Sequence, residues 1–558
     1  MEILEFYQNF LKTDINSRND LLFELKDIVL KDEFNWVSEI FEKIIKDTEK
    51  DALIYYNMGT ENEIRISYGD FMNRYNQFIN FLKKHNIKKG ASIYIMAGAV
   101  PEQWYSIMGS LKGGFTVIPS APNLTEYELK YRFAQDPPDV IISDINNADK
   151  IDRSLKNSPL KICLSDKIGW INYSQINGED NNAPAEKIKI NDIFIKYFTS
   201  GTTGMPKAVK QSAILYPIGQ LSTLAAIGIK ENYIHNNLSS PGWAKFAWSS
   251  FFAPLSAGST ILIIDYSGKL NTGKYLEILD NYHVNSFCAP PTAWRQFLSI
   301  KTDVKLKQLH ETVSAGEPLN GEIINKWKEK FGTTIRDFYG QSEATAMVAN
   351  SPGIKVIPGS MGKPLKMYGI KLLDDDFNEI ADPYKIGIIS VKNYQNNYGL
   401  FIGYSDENKN REVFVNNYYL TGDKAYMDDS GYLYFVSRSD DVIKTSDYRV
   451  GPFEVESAII SNEAVLESAV IGSPDPLKYQ AIKAFVILKE NFEKNQQTAE
   501  SIYKTVKNLL PYYKLPRIIE FTNELPKTIS GKIKRNELRS IEIEKKSNNA
   551  RGEYEYYL

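Results

Sequence analysis

Asp192-Ile-Phe-Ile-Lys-Tyr-Phe198 runs directly into Thr199-Ser-Gly-Thr-Thr-Gly-Met-Pro-Lys207. The first run is apolar, β-branched and aromatic, which predicts a strand. The second holds four hydroxyls (Thr199, Ser200, Thr202, Thr203), two glycines (Gly201, Gly204) and one lysine, Lys207. Glycine lets backbone N–H groups approach an anion closely, and hydroxyls add further donors. Lys207 adds a mobile positive charge. The pattern predicts a loop that holds polyphosphate. It is not a Walker-type loop, because its glycines are too close together and no Lys-Ser/Thr pair follows the second. A Ser/Thr/Gly turn alone would suit a polar surface turn, but Pro206-Lys207 at this spacing does not.

The 558 residues around this loop are too many for one core and predict two or more domains. Before it, strand patterns at 52–56, 63–67, 90–96, 117–119 and 140–143 alternate with helical patterns at 71–85 and 103–112. Residues 1 to about 50 read as helical, and the Asn/Pro-rich stretch 174–190 as a linker. After the loop the alternation resumes at 259–264, 312–314 and 321–330, as expected of an α/β domain. Past about residue 355 the strands become short and turn-punctuated (369–373, 387–391, 432–436), predicting a small β subdomain. The last hundred residues or so read as an α+β unit opening at Pro452, with a loose polar tail, KKSNNARGEYEYYL.

Net charge is −3, which gives no reason to expect nucleic acid or an acidic membrane as partner. The lysine pairs 83–84 and 545–546 read as solvated faces. Cys163 and Cys288 lie in apolar surroundings and form no disulfide framework, which suits a reducing compartment. The four histidines show no zinc spacing. The N-terminus lacks a basic start and a sustained apolar run, and no run is long enough to span a bilayer. These features predict a cytoplasmic protein. Oligomeric state stays open.

Four further strings carry chemistry. Ser314-Ala-Gly-Glu-Pro-Leu-Asn320 follows a strand, and Gly316, Glu317 and Pro318 offer a flat backbone against which a purine could lie. In Asp337-Phe-Tyr-Gly-Gln-Ser-Glu343, Tyr339 can stack on adenine, and Gln341 and Ser342 can bond phosphate or ribose. Glu343 is a hard oxygen ligand suited to Mg²⁺. Asp423, in Tyr419-Leu-Thr-Gly-Asp423, can accept from both hydroxyls of a ribose, with Arg438 expected beside it. Lys532 closes Leu525-Pro-Lys-Thr-Ile-Ser-Gly-Lys532.

The five strings, in this order and at these spacings, resemble the signatures of the adenylate-forming superfamily of acyl-CoA synthetases, luciferases and adenylation domains. The resemblance covers residues from about 30 to 540. Its nearest branch is the medium-chain and acetate-type acyl-CoA synthetases, whose look is shared by Gly242-Trp-Ala-Lys-Phe-Ala-Trp248, Ala289-Pro-Pro-Thr-Ala-Trp294 and Gly451-Pro-Phe-Glu-Val-Glu456. It implies a large α/β domain of parallel-sheet subdomains plus a small β subdomain (1–438), a hinge at 439–440 with Asp440 as pivot, a small mobile α+β domain (441–545) and a tail (546–558). It implies that ATP is held by Thr199 to Gly204, Lys207, Gly316 to Pro318, Asp337, Phe338, Tyr339, Gly340, Gln341, Ser342, Asp423, Arg438 and Arg449. Glu343 would bind Mg²⁺, and Lys532 would contact the substrate carboxylate and the α-phosphate.

The implied activity is ATP-dependent conversion of a carboxylic acid to acyl-AMP, followed by transfer to CoA. Trp243 would border the acyl pocket. Amino-acid-activating relatives place an aspartate near there, whereas 241–258 contain no acid and Lys245 stands roughly in its place, implying a simple carboxylic acid. Gly340 replaces the aromatic that closes the pocket of acetate enzymes, implying an acid longer than acetate. Three departures stand out. The usual histidine after the phosphate loop is absent from Val209-Lys-Gln-Ser212; Asp447 interrupts Ser446-Asp-Tyr448; and Tyr479 follows Lys478 where the family has glycine. The last two fall on the implied CoA tunnel (Ser446, Asp447, Tyr448, Lys478). They open an alternative in which an amine or carrier protein accepts the acyl group. Intact Glu343, Asp423 and Lys532 argue against a non-catalytic nucleotide sensor.

Overall fold

The computed structural model describes residues 2–199, 206–438, 441–445, 448–475, 479–528 and 532–558, without the side chains of Asn396, Tyr448, Arg449 and Tyr479. The chain divides into two compact units, Met1–Gly369 with Lys392–Tyr419, and Ile370–Val391 with Leu420–Leu558.

Two large sheets build the first unit. One runs, in spatial order, Lys363–Pro364, Ala346–Ala349, Ile335–Gly340, Glu311–Ala315, Ser286–Ala289, Ile234–Asn237, Thr260–Asp265, Asp51–Asn57, Glu63–Ser67. From Ile335–Gly340 to Asp51–Asn57 the neighbouring strands are parallel, and the strands beyond them on either side pair antiparallel. Parallel pairing requires crossovers, which helices such as Thr272–Asn281, Pro291–Ser299 and Gly321–Phe331 provide. Their apolar faces bury Leu279, Trp294, Phe297 and Trp327 against the sheet residues Leu262 and Phe287. The other sheet runs Gly403–Tyr404, Lys207–Ser212, Ile193–Thr199, Thr116–Pro119, Ser92–Met96, Val140–Ser143, Leu160–Cys163, Ile171–Asn172. The strand ahead of the phosphate loop forms as read. The strand after it, Lys207–Ser212, was not legible: it returns antiparallel, so the loop crowns a hairpin.

The helical reading of the first fifty residues holds in pieces. Ile3–Lys12 is a full helix, but Arg18–Leu21, Leu22–Asp27, Val37–Phe41 and Glu42–Ile44 are short turns of differing pitch.

In the second unit, Asp423–Met427 pairs antiparallel with Leu433–Arg438, and Leu433–Arg438 packs against the helix Pro452–Ile460. Phe435 meets Phe453 edge-on at 6.4 Å between ring centroids. A Cβ on Gly451 would lie 2.3 Å from the Val436 carbonyl oxygen, so this packing requires glycine. These contacts place 420–438 in one compact unit with the residues that follow, whereas the sequence reading set a boundary at 438. The hinge residues 439–440 lie outside the described residues.

The four-stranded sheet of this unit runs Val465–Asp475, Tyr479–Leu488, Ile518–Phe521, Glu555–Tyr557. The polar tail is therefore not loose. Its strand pairs antiparallel with Ile518–Phe521, Ile518 opposite Tyr557. Tyr554, Tyr556 and Leu558 pack on the core of Val455, Ile459, Val486 and Ile502. Lys545 and Lys546 are likewise not merely solvated: they pair with Glu520 at 2.6 Å and with Glu555 at 3.0 Å.

Candidate active site

The phosphate-loop hairpin sets Thr199 opposite Lys207 and Tyr197 opposite Val209. Thr199 and Lys207 thus flank the loop. Ser200, Gly201, Thr202, Thr203 and Gly204 lie outside the described residues. The Lys207 ammonium is 3.8 Å from the Asp406 carboxylate, which also caps the helix Glu407–Val413. The outer edge of the hairpin pairs with Gly403–Tyr404, Tyr404 opposite Val209. From there the Tyr404 hydroxyl donates to Glu343 Oε1 at 2.7 Å. The Phe401 N–H donates to the Glu343 carbonyl at 2.8 Å. Gln211, fully buried where the family histidine was expected, donates through Nε2 to the Ser342 carbonyl at 2.7 Å. The Tyr419 hydroxyl donates to Gln341 Oε1 at 2.8 Å. The structure therefore brings the phosphate-loop hairpin and the 341–343 segment into one hydrogen-bonded assembly. Tyr404, Tyr419 and Gln211 were missed as site residues. A lone tyrosine in sequence carries no sign of where its hydroxyl points.

The nucleotide-base strings lie side by side because their strands are parallel neighbours, Ser314 opposite Asp337 and Ala315 opposite Phe338. Gly316 has φ +104°, a left-handed conformation that a side chain would strain. Glu317 and Pro318 lead on to Leu319, whose N–H points at Asp337 Oδ2 from 3.4 Å. Burial pushes the Asp337 carboxyl well up, opposed by the Leu319 and Phe338 N–H groups. Asp337 Oδ1 is buried with no hydrogen-bond partner among the described residues, an acceptor suited to an exocyclic amine. Phe338 is buried; Tyr339 is half-buried at the strand end.

Gly340 is more crowded than an open pocket floor. A Cβ there would lie 2.4 Å from the Thr345 carbonyl oxygen and 3.1 Å from the Trp248 ring. Trp248 is itself held by its Nε1–H donating to the Tyr216 hydroxyl at 2.9 Å. Trp243 is half-buried, and its Nε1 is shielded with no partner among the described residues. Lys245 Nζ reaches the Ala315 carbonyl at 3.5 Å, beside the base-binding strand end.

In the second unit, Asp423 lies directly across the strand pair from Arg438, as expected, with the Asp423 N–H donating to Thr421 Oγ1 at 3.1 Å. Lys532 is exposed; its N–H donates to Thr528 Oγ1 at 3.0 Å, and its carbonyl accepts from the Thr528 N–H at 2.7 Å. Asp440, Ser446, Asp447 and Lys478 lie outside the described residues, as do the side chains of Tyr448, Arg449 and Tyr479.

The donor set at Glu343 fits a magnesium ion that arrives with nucleotide phosphates. Such an ion needs one or two carboxylates rather than a protein cage. Glu343 supplies a half-buried carboxylate whose Oε1 is already oriented by Tyr404. The three-carboxylate group among the described residues, Glu520, Glu542 and Glu555, lies elsewhere and surrounds the buried Lys483 ammonium at 2.5 to 3.0 Å. Lys545 on Glu520 and Lys546 on Glu542 and Glu555 complete the balance of charge there.

Residues 41–404 match the family described as AMP-binding enzyme, and 454–532 match the AMP-binding enzyme C-terminal domain. The chain is 48% identical to 4-hydroxybutyrate–CoA ligase 1 of Metallosphaera sedula over 99% of both chains. It is 33% identical to the mitochondrial acyl-coenzyme A synthetase ACSM3 of Rattus norvegicus, over 96% of this chain and 95% of that one. Among solved structures, it is similar to the anthranilate CoA ligase AuaEII in complex with anthranoyl-AMP. The TM-score is 0.84 and the identity 27%, over 93% of this chain and 98% of that one. No helix among the described residues is long and apolar enough to cross a membrane.

Proposed function

The chain belongs to the AMP-binding enzyme family, and from that premise we propose which acid it activates and which of its residues do so. It is an acid–thiol ligase: a carboxylic acid and ATP give acyl-AMP and pyrophosphate, and CoA then takes the acyl group. The observation that carries the site reading is the single assembly in which Gln211 and Tyr404 tie the phosphate-loop hairpin to the Glu343 segment. A carboxylate oxygen attacks the α-phosphorus and pyrophosphate leaves. The CoA sulfur then attacks the acyl carbon, AMP leaves, and the thiol proton passes to solvent.

In the first step the Thr199–Lys207 loop holds the leaving phosphates, Tyr339 and the 316–318 backbone flank adenine, and Asp337 accepts from its amine. Asp423 and Arg438 take the ribose, and the family resemblance adds Arg449 as a further ATP-binding residue. Magnesium, when bound at Glu343, would offset phosphate charge. Lys532 neutralises the approach of one anion to another, so positioning and charge supply most of the rate. The acid is a simple one longer than acetate, and 4-hydroxybutyrate, on which the 48% identical relative acts by name, is the first candidate. Full-length similarity to CoA ligases supports CoA over an amine or carrier protein as acceptor, despite Asp447 and Tyr479. Free, buried Cys163 and Cys288 support a reducing, cytoplasmic setting.

The test is pyrophosphate release with acetate, propionate, butyrate, 4-hydroxybutyrate and octanoate, with and without CoA. We expect release with acids longer than acetate and stoichiometric thioester when CoA is present. Release without thioester would move the acceptor away from CoA. No release with any acid would defeat the catalytic reading.

A further inference from the structure

We propose that Tyr404 and Tyr419, braced on Phe401, are positioning residues that set the orientation of Glu343 and Gln341 for metal and nucleotide. Phe401 and Tyr404 lie outside all five strings from which the site was read, and Tyr419 opens the ribose string with no role assigned to its hydroxyl. The two hydroxyls donate to consecutive members of one arrangement, Tyr404 to Glu343 Oε1 at 2.7 Å and Tyr419 to Gln341 Oε1 at 2.8 Å. The Phe401 ring meets both tyrosines edge-on, at 4.9 Å from Tyr404 and 5.2 Å from Tyr419. All three are at least nine-tenths buried. The Phe401 N–H also fixes the Glu343 carbonyl at 2.8 Å. One residue thereby holds the Glu343 backbone while its ring braces the two tyrosine rings.

The chemistry follows from which oxygen is engaged. A hydroxyl on Oε1 makes a charge-assisted bond that limits how far the carboxylate can swing. A glutamate on a half-buried segment would otherwise sample several rotamers. Groups that orient a metal-binding carboxylate are part of the site's affinity, and their loss costs about 10- to 100-fold in metal affinity or activity. Tyr404 also stands opposite Val209 in the phosphate-loop hairpin, so the same residue couples the carboxylate to that hairpin.

This assignment rests on the proposal that Glu343 binds the metal. The experiment compares Tyr404→Phe, Tyr419→Phe and Glu343→Gln, reading ATP binding by calorimetry with Mg²⁺ and with EDTA, and the Mg²⁺ dependence of adenylation. Tyr404→Phe should raise the Mg²⁺ midpoint by about 10- to 100-fold while leaving ATP binding in EDTA unchanged. Tyr419→Phe should raise the KM for ATP without moving that midpoint. If Glu343→Gln shifts the midpoint and Tyr404→Phe does not, the positioning role is wrong. If neither shifts it, the metal reading of Glu343 fails first. Should either tyrosine variant not fold, Phe401→Leu keeps both hydroxyls and removes their brace. It should move both readouts together, and unchanged readouts would overturn the proposal.

Discussion

Gly340 has two reasons to be glycine, and only one concerns substrate. The family resemblance ties it to pocket depth. The structure adds that any Cβ would press on the Thr345 carbonyl at 2.4 Å, a backbone atom that cannot swing aside, and on the Trp248 ring. Overpacking of this kind costs about 1–3 kcal/mol. Gly340→Ala should therefore lower the urea midpoint of the first unit, and Trp248→Leu should not rescue it, because the carbonyl remains. An alanine variant as stable as the wild type would show that the 340–345 turn opens freely. The same crowding makes Gly340→Trp a poor probe of chain-length preference, since the backbone would shift before the pocket filled.

At the scale of elements, the tail strand Glu555–Tyr557 carries more than its polar composition promised. Lys483, with its side chain fully buried, pairs with Glu555 at 3.0 Å, Glu542 at 2.5 Å and Glu520 at 2.7 Å. Burial alone would raise the Glu555 carboxyl. The Gly552 N–H, the Tyr557 hydroxyl and Lys483 outweigh it and hold the carboxyl well below its ordinary value. A depressed carboxyl adds stability above its unfolded-state pKa and loses it as pH falls through the folded one. The C-terminal unit should accordingly weaken as pH drops below about 5. Glu555→Gln should be less stable at pH 7 and show a shallower decline from pH 5 to 3, read as urea midpoints. Parallel declines in the two proteins would remove Glu555 as a source of the acid sensitivity.

For the whole molecule, the proposed residues are shared between two compact units, Thr199, Lys207 and Glu343 in one and Asp423, Arg438 and Lys532 in the other. We propose that Lys532 serves the first half-reaction and not the second. Lys532→Ala should then slow acyl-AMP formation by about a hundredfold or more. Thioester formation from supplied acyl-AMP should stay near the wild-type rate. If both half-reactions fall together, Lys532 serves both.

The sequence by itself determined the fold class, the strand that leads into the phosphate loop and the site strings, because those depend on local pattern: glycines, hydroxyls and charges at fixed spacing, and apolar residues at the period of a strand or helix. Asp423 opposite Arg438 and the Ser314 and Asp337 strings side by side were within reach of that reasoning and of the family resemblance. What only the tertiary structure decided is long-range. Gln211 meets Ser342 across 131 positions and Tyr404 meets Glu343 across 61. The return strand Lys207–Ser212 is too mixed in polarity to declare itself, and it forms because both its edges find partners. The tail becomes a strand because Lys483 and the edge of Ile518–Phe521 await it, a burial of charge that no local composition can announce.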